Sequence, residues 1–149
     1  MNSTLIEQAE SILKLQGGRM TSQRKLILEL LQSMPGHPTA EEIYLAASQY
    51  DESLNLSTVY RNLRWLIDLK LVTPLVFDDD RRQERFDAMI DPPQSDHYHF
   101  RCQECCQIFE FSAPEVEQFK AQFSDSTGAV VQSASLILYG ICADCRELK

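Results

Sequence analysis

What this sequence lacks narrows it first. It has no apolar run of about 18 residues, the length a membrane helix needs, so no membrane span is expected. Its N-terminus has no charged segment followed by an apolar stretch; Glu7, Glu10 and Lys14 instead alternate with Leu5, Ile6, Ala9, Ile12 and Leu13 at helical spacing. The reading is of a cytoplasmic protein. There is no excess of positive charge: the net charge of −8 argues against indiscriminate coating of nucleic acid, which needs clustered Lys and Arg. No internal repeat and no low-complexity segment occurs, and only three histidines are present, His37, His97 and His99.

What is present is local. Arg19, Arg24 and Lys25 lie together without an acid, and Arg61, Arg64 and Lys70 outnumber Asp68 in a later segment. Residues from about 3 to 70 read as four helices. Gly17-Gly18 ends the first. Thr21 caps a second with Leu26, Ile27, Leu30 and Leu31 on one face, and Pro35-Gly36 breaks it. Thr39-Ala40-Glu41-Glu42 is a capping-box pattern that starts the third. Ser57 opens the fourth, with Val59, Leu63, Leu66 and Ile67 inward and Thr58, Tyr60, Arg61, Asn62 and Arg64 on or beside the exposed side.

The period then changes to two, from Leu71 to Phe77, through a turn at Asp78-Asp79-Asp80, and back through Arg85 and Phe86. Four helices followed by such a hairpin predict a winged helix. Asp91-Pro92-Pro93-Gln94-Ser95 marks a hinge, since prolines stop regular structure. The expected organisation is α+β: a winged-helix DNA-binding domain over residues 1–90, a hinge over 91–96, and a small α/β domain over 97–149. The second domain should hold strands near 97–101 and 107–111. A helix opened by Ser112-Ala113-Pro114-Glu115 follows, with Val116, Phe119 and Phe123 inward, and then a long strand from about 128 to 139.

Cys102-Gln103-Glu104-Cys105 and Cys142-Ala143-Asp144-Cys145 form two C-x-x-C knuckles. Each lets two thiolates converge on one ion, and two together complete a tetrahedral sulfur shell suited to a structural Zn2+. A thioredoxin-like dithiol is the alternative, but it uses one motif at a helix start rather than two facing knuckles. Cys106 directly follows a knuckle at a turn position that favours positive φ, and it reads as a buried spectator thiol.

In a strand, residues i and i+2 share a face, so His97 and His99 point one way while Tyr98 and Phe100 point the other. Two converging imidazoles make half of a divalent-metal site, and an H-x-H pair alone is equally well a surface coincidence. Acids near in sequence or on the neighbouring strand are Asp87, Asp96 and Glu110. A nitrogen and oxygen donor set without sulfur prefers Fe2+, Mn2+ or Zn2+.

Several motifs occur in one order: His37-Pro38-Thr39-Ala40-Glu41-Glu42-Ile43-Tyr44, Leu56-Ser57-Thr58-Val59-Tyr60-Arg61-Asn62-Leu63, Arg85-Phe86-Asp87, Ser95-Asp96-His97-Tyr98-His99, and both knuckles. In this the chain resembles the ferric-uptake-regulator family from about Leu5 to Cys145. The resemblance implies a homodimeric repressor of double-stranded operator DNA whose second domain dimerises and whose regulatory Fe2+ or Mn2+ is bound by His37, Asp87, His97, His99 and Glu110. Metal binding then favours one arrangement of the two domains, the one that presents both reading helices at operator spacing. Asp87 in Arg-Phe-Asp and the Ser-Asp-His-Tyr-His run are similar to the peroxide-sensing PerR branch, in which bound Fe2+ reacts with hydrogen peroxide, a ligand histidine is oxidised and DNA is released. Glu110 departs from the Asp usual there and is more like the iron-sensing branch. Gln132-Ser133-Ala134-Ser135 lacks the last-strand histidine of an auxiliary site, so one regulatory and one structural metal per subunit are expected.

The candidate DNA contacts are Ser57, Thr58, Tyr60, Arg61 and Arg64 on the fourth helix. Hydroxyls suit phosphate or base edges, Tyr60 suits a thymine methyl, and the arginines suit phosphate or guanine. Arg19, by the same resemblance, is placed to enter the minor groove. Taken alone, that helix would be an ordinary solvated one with two arginines; the wing directly after it favours DNA. Iron-responsive and zinc-responsive repressors of the same family are the near alternatives. Outside the family, a zinc-bound thiol redox protein would need its cysteines free, and a structural zinc adaptor would lack metal-dependent DNA binding. A zinc hydrolase would need an open metal position and a nucleophile or base motif, and none is present, so no enzymatic activity is expected.

Overall fold

The computed structural model describes residues 4–78, 81–88 and 97–148, and the chain divides into two compact units, Met1–Pro93 and Gln94–Lys149. The hinge read at residues 91–96 and the Asp79-Asp80 part of the wing turn lie outside the described residues. Among the described residues no helix is long and apolar enough to cross a membrane.

The first unit runs α1 (Leu5–Gln16), α2 (Ser22–Ser33), α3 (Ala40–Ala47), α4 (Leu56–Asp68), β1 (Val72–Val76) and β2 (Glu84–Ala88). Side-chain caps set the helix starts. Thr4 and Glu7 form a capping box on α1, Thr21 accepts from the Arg24 amide, and Thr39 with Glu42 closes a second capping box on α3. The cap of α4 is Asn55, which accepts from the Thr58 amide at 2.9 Å, so the helix starts one residue before Ser57 and Ser57 lies in its first turn.

Each helix turns one apolar stripe inward. Leu5 and Ala9 of α1, Ile27, Leu28 and Leu31 of α2, Ile43 and Ala47 of α3 and Val59, Leu63 and Leu66 of α4 meet Val72 and Phe86 of the hairpin in one core. Asn62, expected at the exposed side, is buried. Its amide donates to the Thr58 carbonyl one turn back at 2.8 Å, and that bond meets the need of a polar group removed from water. At the end of α4 the Lys70 amide donates to the Ile67 carbonyl and the Leu71 amide to the Leu66 carbonyl, with Lys70 at φ +59°. This left-handed cap turns the chain directly into β1, which pairs antiparallel with β2 as the wing.

The second unit holds β3 (His97–Cys102), β4 (Ile108–Ser112), α5 (Pro114–Thr127), β5 (Ile137–Gly140) and α6 (Ala143–Glu147). Its sheet has the order β4-β3-β5, with β3 antiparallel to β4 and parallel to β5. Three expectations need correction. The last strand is short: β5 pairs with β3 only from Ile137, the Leu136 carbonyl accepts from the His99 amide at 3.2 Å, and residues 128–135 form no ladder with any described residue. Phe119 and Phe123 of α5 do not point into a core: they are 67% and 46% exposed, and α5 buries no residue fully. Nor does Ser112 or Ala113 cap α5 with a side chain; Pro114 starts it through a preset φ.

Candidate metal centres

The second unit builds a four-sulfur cluster. The β3–β4 turn carries the first knuckle: the Cys102 amide donates to the Gln107 carbonyl at 2.9 Å and the Cys106 amide to the Cys102 carbonyl at 3.1 Å. The second knuckle is brought beside it because β5 runs next to β3, with the Gln103 amide donating to the Gly140 carbonyl at 2.8 Å. Gly140 lies against the Phe100 ring, where a Cβ would approach to 3.3 Å, so any larger residue there would press on that ring. The Cys142 amide then points at Cys102 Sγ at 3.4 Å, and α6 begins directly after Cys142.

One sulfur from each of Cys102, Cys105, Cys142 and Cys145 lies within 4.8 Å of the others, and the Cys105 and Cys142 sulfurs are 3.8 Å apart. A tetrahedral shell with metal–sulfur bonds of about 2.3 Å has edges of about 3.8 Å, so the spacing fits Zn2+ without rearrangement. The thiols are electrostatically unlike. Backbone amides, the Cys142 N–H first and that of Cys105 second, lower Cys102 to about 6, while the neighbouring Cys142 and Cys105 thiols push Cys145 up to about 12. Four adjacent thiols cannot all ionise without a cation, and a bound Zn2+ removes that conflict by taking all four as thiolates.

Cys106 stands at φ +62°, the left-handed geometry anticipated for its position. It is exposed rather than buried, because the turn carries it outward; the buried Arg101 guanidinium donates to its carbonyl and fixes that turn.

A nitrogen and oxygen donor set is distributed over both units. In the first, the loop before α3 carries His37, and Asp87 lies on β2. The two are tied by backbone: Phe86 donates its amide to the Pro38 carbonyl at 3.0 Å, and Thr39 bridges Arg85. Arg85 adds a side-chain bond, its Nη1 donating to the His37 carbonyl at 2.8 Å. His37 is thereby buried with Nε2 3.7 Å from Asp87 Oδ1. In the second unit, His97 and His99 share a face of β3 with ring centroids 5.0 Å apart, and Tyr98 is buried on the other face. Glu110 is the cross-strand partner of His99, and its Oε1 comes within 3.9 Å of His97 Nε2. Neutral imidazoles and carboxylates paired in this way suit a borderline or hard divalent cation.

The candidate DNA contacts are placed unequally. Ser57, Arg61 and Arg19 are exposed. Thr58 is part-buried and turns its hydroxyl to the Asn55 side chain at 3.0 Å. Tyr60 and Arg64 are engaged by carboxylates, Tyr60 by Glu41 and Arg64 by Glu84. Sequence reasoning passed over Arg85, Glu41 and Glu84, whose roles depend on which strand and helix ends meet. The alternation in Arg85-Phe86-Asp87 placed Arg85 and Asp87 on one face but named no partner for Arg85.

The model of the ferric uptake regulator family matches residues 15–139. The peroxide operon regulator of Bacillus subtilis is 36% identical over 142 residues, covering 95% of this chain and 94% of that protein. The ferric uptake regulator of Vibrio cholerae has a similar structure, with a TM-score of 0.70 at 32% identity, over 90% of this chain and 99% of that one. PerR from Streptococcus pyogenes, described as acting in peroxide sensing and gene regulation, superposes with a TM-score of 0.56 at 28% identity, over 97% and 95% of the two chains. With the family model matching most of the chain, from the end of α1 into β5, the chain belongs to the ferric uptake regulator family.

Proposed function

We propose that this chain is a cytoplasmic, homodimeric repressor that reads double-stranded operator DNA when a divalent metal is bound, and that its signal is peroxide. In this reading residues 1–90 are the DNA-binding domain and residues 97–149 the zinc-stapled dimerisation domain, joined by a hinge at 91–96. The observation that carries it is the division of donors. His37 and Asp87 pair in the unit with the reading helix, and His97, His99 and Glu110 lie together in the other, two donors in one unit and three in the second. One Fe2+ or Mn2+ taking His37, Asp87, His97, His99 and Glu110 would favour the arrangement of the two units that fits an operator. Bound iron would supply the chemistry with peroxide; the chain's part is to hold imidazole carbons of His37 and His97 within reach of it.

Support for the homodimer comes from the exposed apolar side chains of the second unit, Phe119, Phe123 and Leu138, and from the unladdered residues 128–136. Support for DNA reading comes from α4, whose exposed Ser57 and Arg61 precede a wing at the correct place in the chain, with Thr58, Tyr60 and Arg64 beside them and Arg19 ahead of α2. Glu110 favours a second reading, an iron-responsive repressor in which peroxide plays no part. DNA binding titrated with Fe2+ and Mn2+, before and after peroxide, tests the choice. The peroxide reading requires that the Fe2+-loaded protein lose DNA and gain one oxygen on the His37 or His97 peptide, while the Mn2+-loaded protein resists. Release of DNA only on iron removal assigns the chain to the iron reading.

A further inference from the structure

The reading face of α4 is not an open row of donors. Arg64 gives Nη2 to Glu84 Oε2 at 2.9 Å, and Tyr60, one turn earlier, donates its hydroxyl to Glu41 Oε1 at 3.0 Å. Glu84 opens the wing strand β2 and Glu41 lies in the first turn of α3, so carboxylates from both elements flanking α4 occupy donors that duplex DNA would claim. The four groups act on one another. The Tyr60 hydroxyl is pushed above its ordinary value first by burial, then by the Glu41 hydrogen bond and the charges of Glu41 and Glu84, with Arg64 opposing.

We propose that Glu41 and Glu84 form a carboxylate latch that competes with DNA for Tyr60 and Arg64, and so sets the affinity threshold that the regulatory metal must overcome. The proposal rests on the reading of α4 as the DNA-contacting helix. On binding, Arg64 exchanges a carboxylate for a phosphate or a guanine edge, and Glu84 is left facing a polyanion. An ion pair as exposed as this one, with Arg64 57% accessible, changes an equilibrium by about two- to fivefold. A dimer that docks two reading helices meets the latch twice, and the factors multiply to about four- to 25-fold. A factor of that size weakens metal-free and metal-loaded forms alike, and so raises the metal concentration at which DNA becomes occupied.

The test uses the full-length, zinc-loaded protein with Mn2+, a duplex selected from a random-sequence pool by the wild-type chain, and Glu84→Gln. The variant is expected to bind that duplex about four- to 25-fold more tightly and to reach half occupancy at lower Mn2+. The same substitution on an Arg64→Ala background should gain less than about twofold, because the group it releases is gone. Glu41→Gln repeats the test through Tyr60, with Tyr60→Phe as its background. Glu29→Gln, an exposed acid on α2, should leave affinity unchanged. Equal gains with and without Arg64, or from Glu29→Gln, would mean a general charge effect and overturn the latch; so would unchanged or weaker binding by both folded single variants. If the wild-type chain selects no duplex with Fe2+, Mn2+ or Zn2+, the DNA-reading assignment itself fails and the latch with it.

Discussion

Arg85→Ala is the perturbation whose size follows most directly from the geometry. Arg85 lies on β2 with its side chain 16% exposed, donating to the His37 carbonyl at 2.8 Å and standing 3.7 Å from Glu42. The Glu42 contact contributes little, since that carboxylate is half exposed and already accepts from the Thr39 amide. The bond to the carbonyl is charge-assisted and part-buried, and its loss should cost about 1.5 to 3 kcal/mol of first-unit stability. The loop that holds His37 opposite Asp87 loses the guanidinium bond to its carbonyl. Outer-shell contacts of this kind change metal affinity by about 10- to 100-fold. The expected outcome is therefore a two-part change: a lower first-unit melting temperature, and Mn2+ affinity reduced at least about tenfold, with structural zinc retained. Arg85→Lys should recover part of the stability and less of the affinity, because an ammonium lacks the planar fork. Mn2+ affinity unchanged in a variant that has lost stability would refute the idea that Arg85 acts on the site through His37.

Other outcomes follow from the same geometry. Cys102→Ser, Cys105→Ser, Cys142→Ser or Cys145→Ser should each release zinc and unfold or monomerise the second unit, whereas Cys106→Ser should leave zinc content and assembly intact; zinc analysis with size-exclusion chromatography decides both. In the metal-free chain, ultraviolet thiolate absorbance should show Cys102 ionising near 6 and Cys145 staying protonated until about 12. An acid depressed in the folded state stabilises it above the unfolded value and ceases to as pH falls through the folded one. The Cys102 contribution is accordingly lost between 9.0 and about 6. Cys102 and Cys145 titrating together near 9.0 would mean that the cluster does not persist without metal. Arg24 stacks its guanidinium 4.3 Å from the Trp65 ring centroid and donates to the Arg19 carbonyl at 3.0 Å. Arg24→Ala should shift the fluorescence of this single tryptophan and weaken DNA binding, through disorder of the Arg19 segment; DNA affinity equal to wild type would remove Arg24 from that role.

Much of this architecture was legible in the sequence because local physics carried it. The Thr39–Glu42 capping box, the glycine stop after α1 and the change of period at Leu71 are near-neighbour effects, and each led to the element observed. The two knuckles were legible because a sulfur set declares its metal by spacing. What failed depended on packing that local spacing does not contain. Helical spacing marked Phe119 and Phe123 as an apolar face but could not say whether the same chain covers it, and among the described residues they stay 67% and 46% exposed. Asn62 was read by polarity, yet its amide is satisfied one turn back and the side chain is free to be buried. Residues 128–136 have strand-like composition, but a ladder needs a paired edge, and pairing with β3 begins only at Ile137. Arg85, Glu41 and Glu84 owe their places to the packing of β2 and α3 beside α4, a register that no local window contains.

The claim at the centre is that metal bound through His37 governs DNA binding, and His37→Ala tests it most directly. DNA affinity should be measured against Mn2+ concentration for wild type and variant, both zinc-loaded. Coupling between two sites in proteins is typically about 5- to 150-fold in affinity. The wild-type protein should gain DNA affinity in that range on Mn2+ addition, and His37→Ala should gain little while keeping its fold, its zinc and its oligomeric state. A variant that responds to Mn2+ as the wild type does would contradict the account.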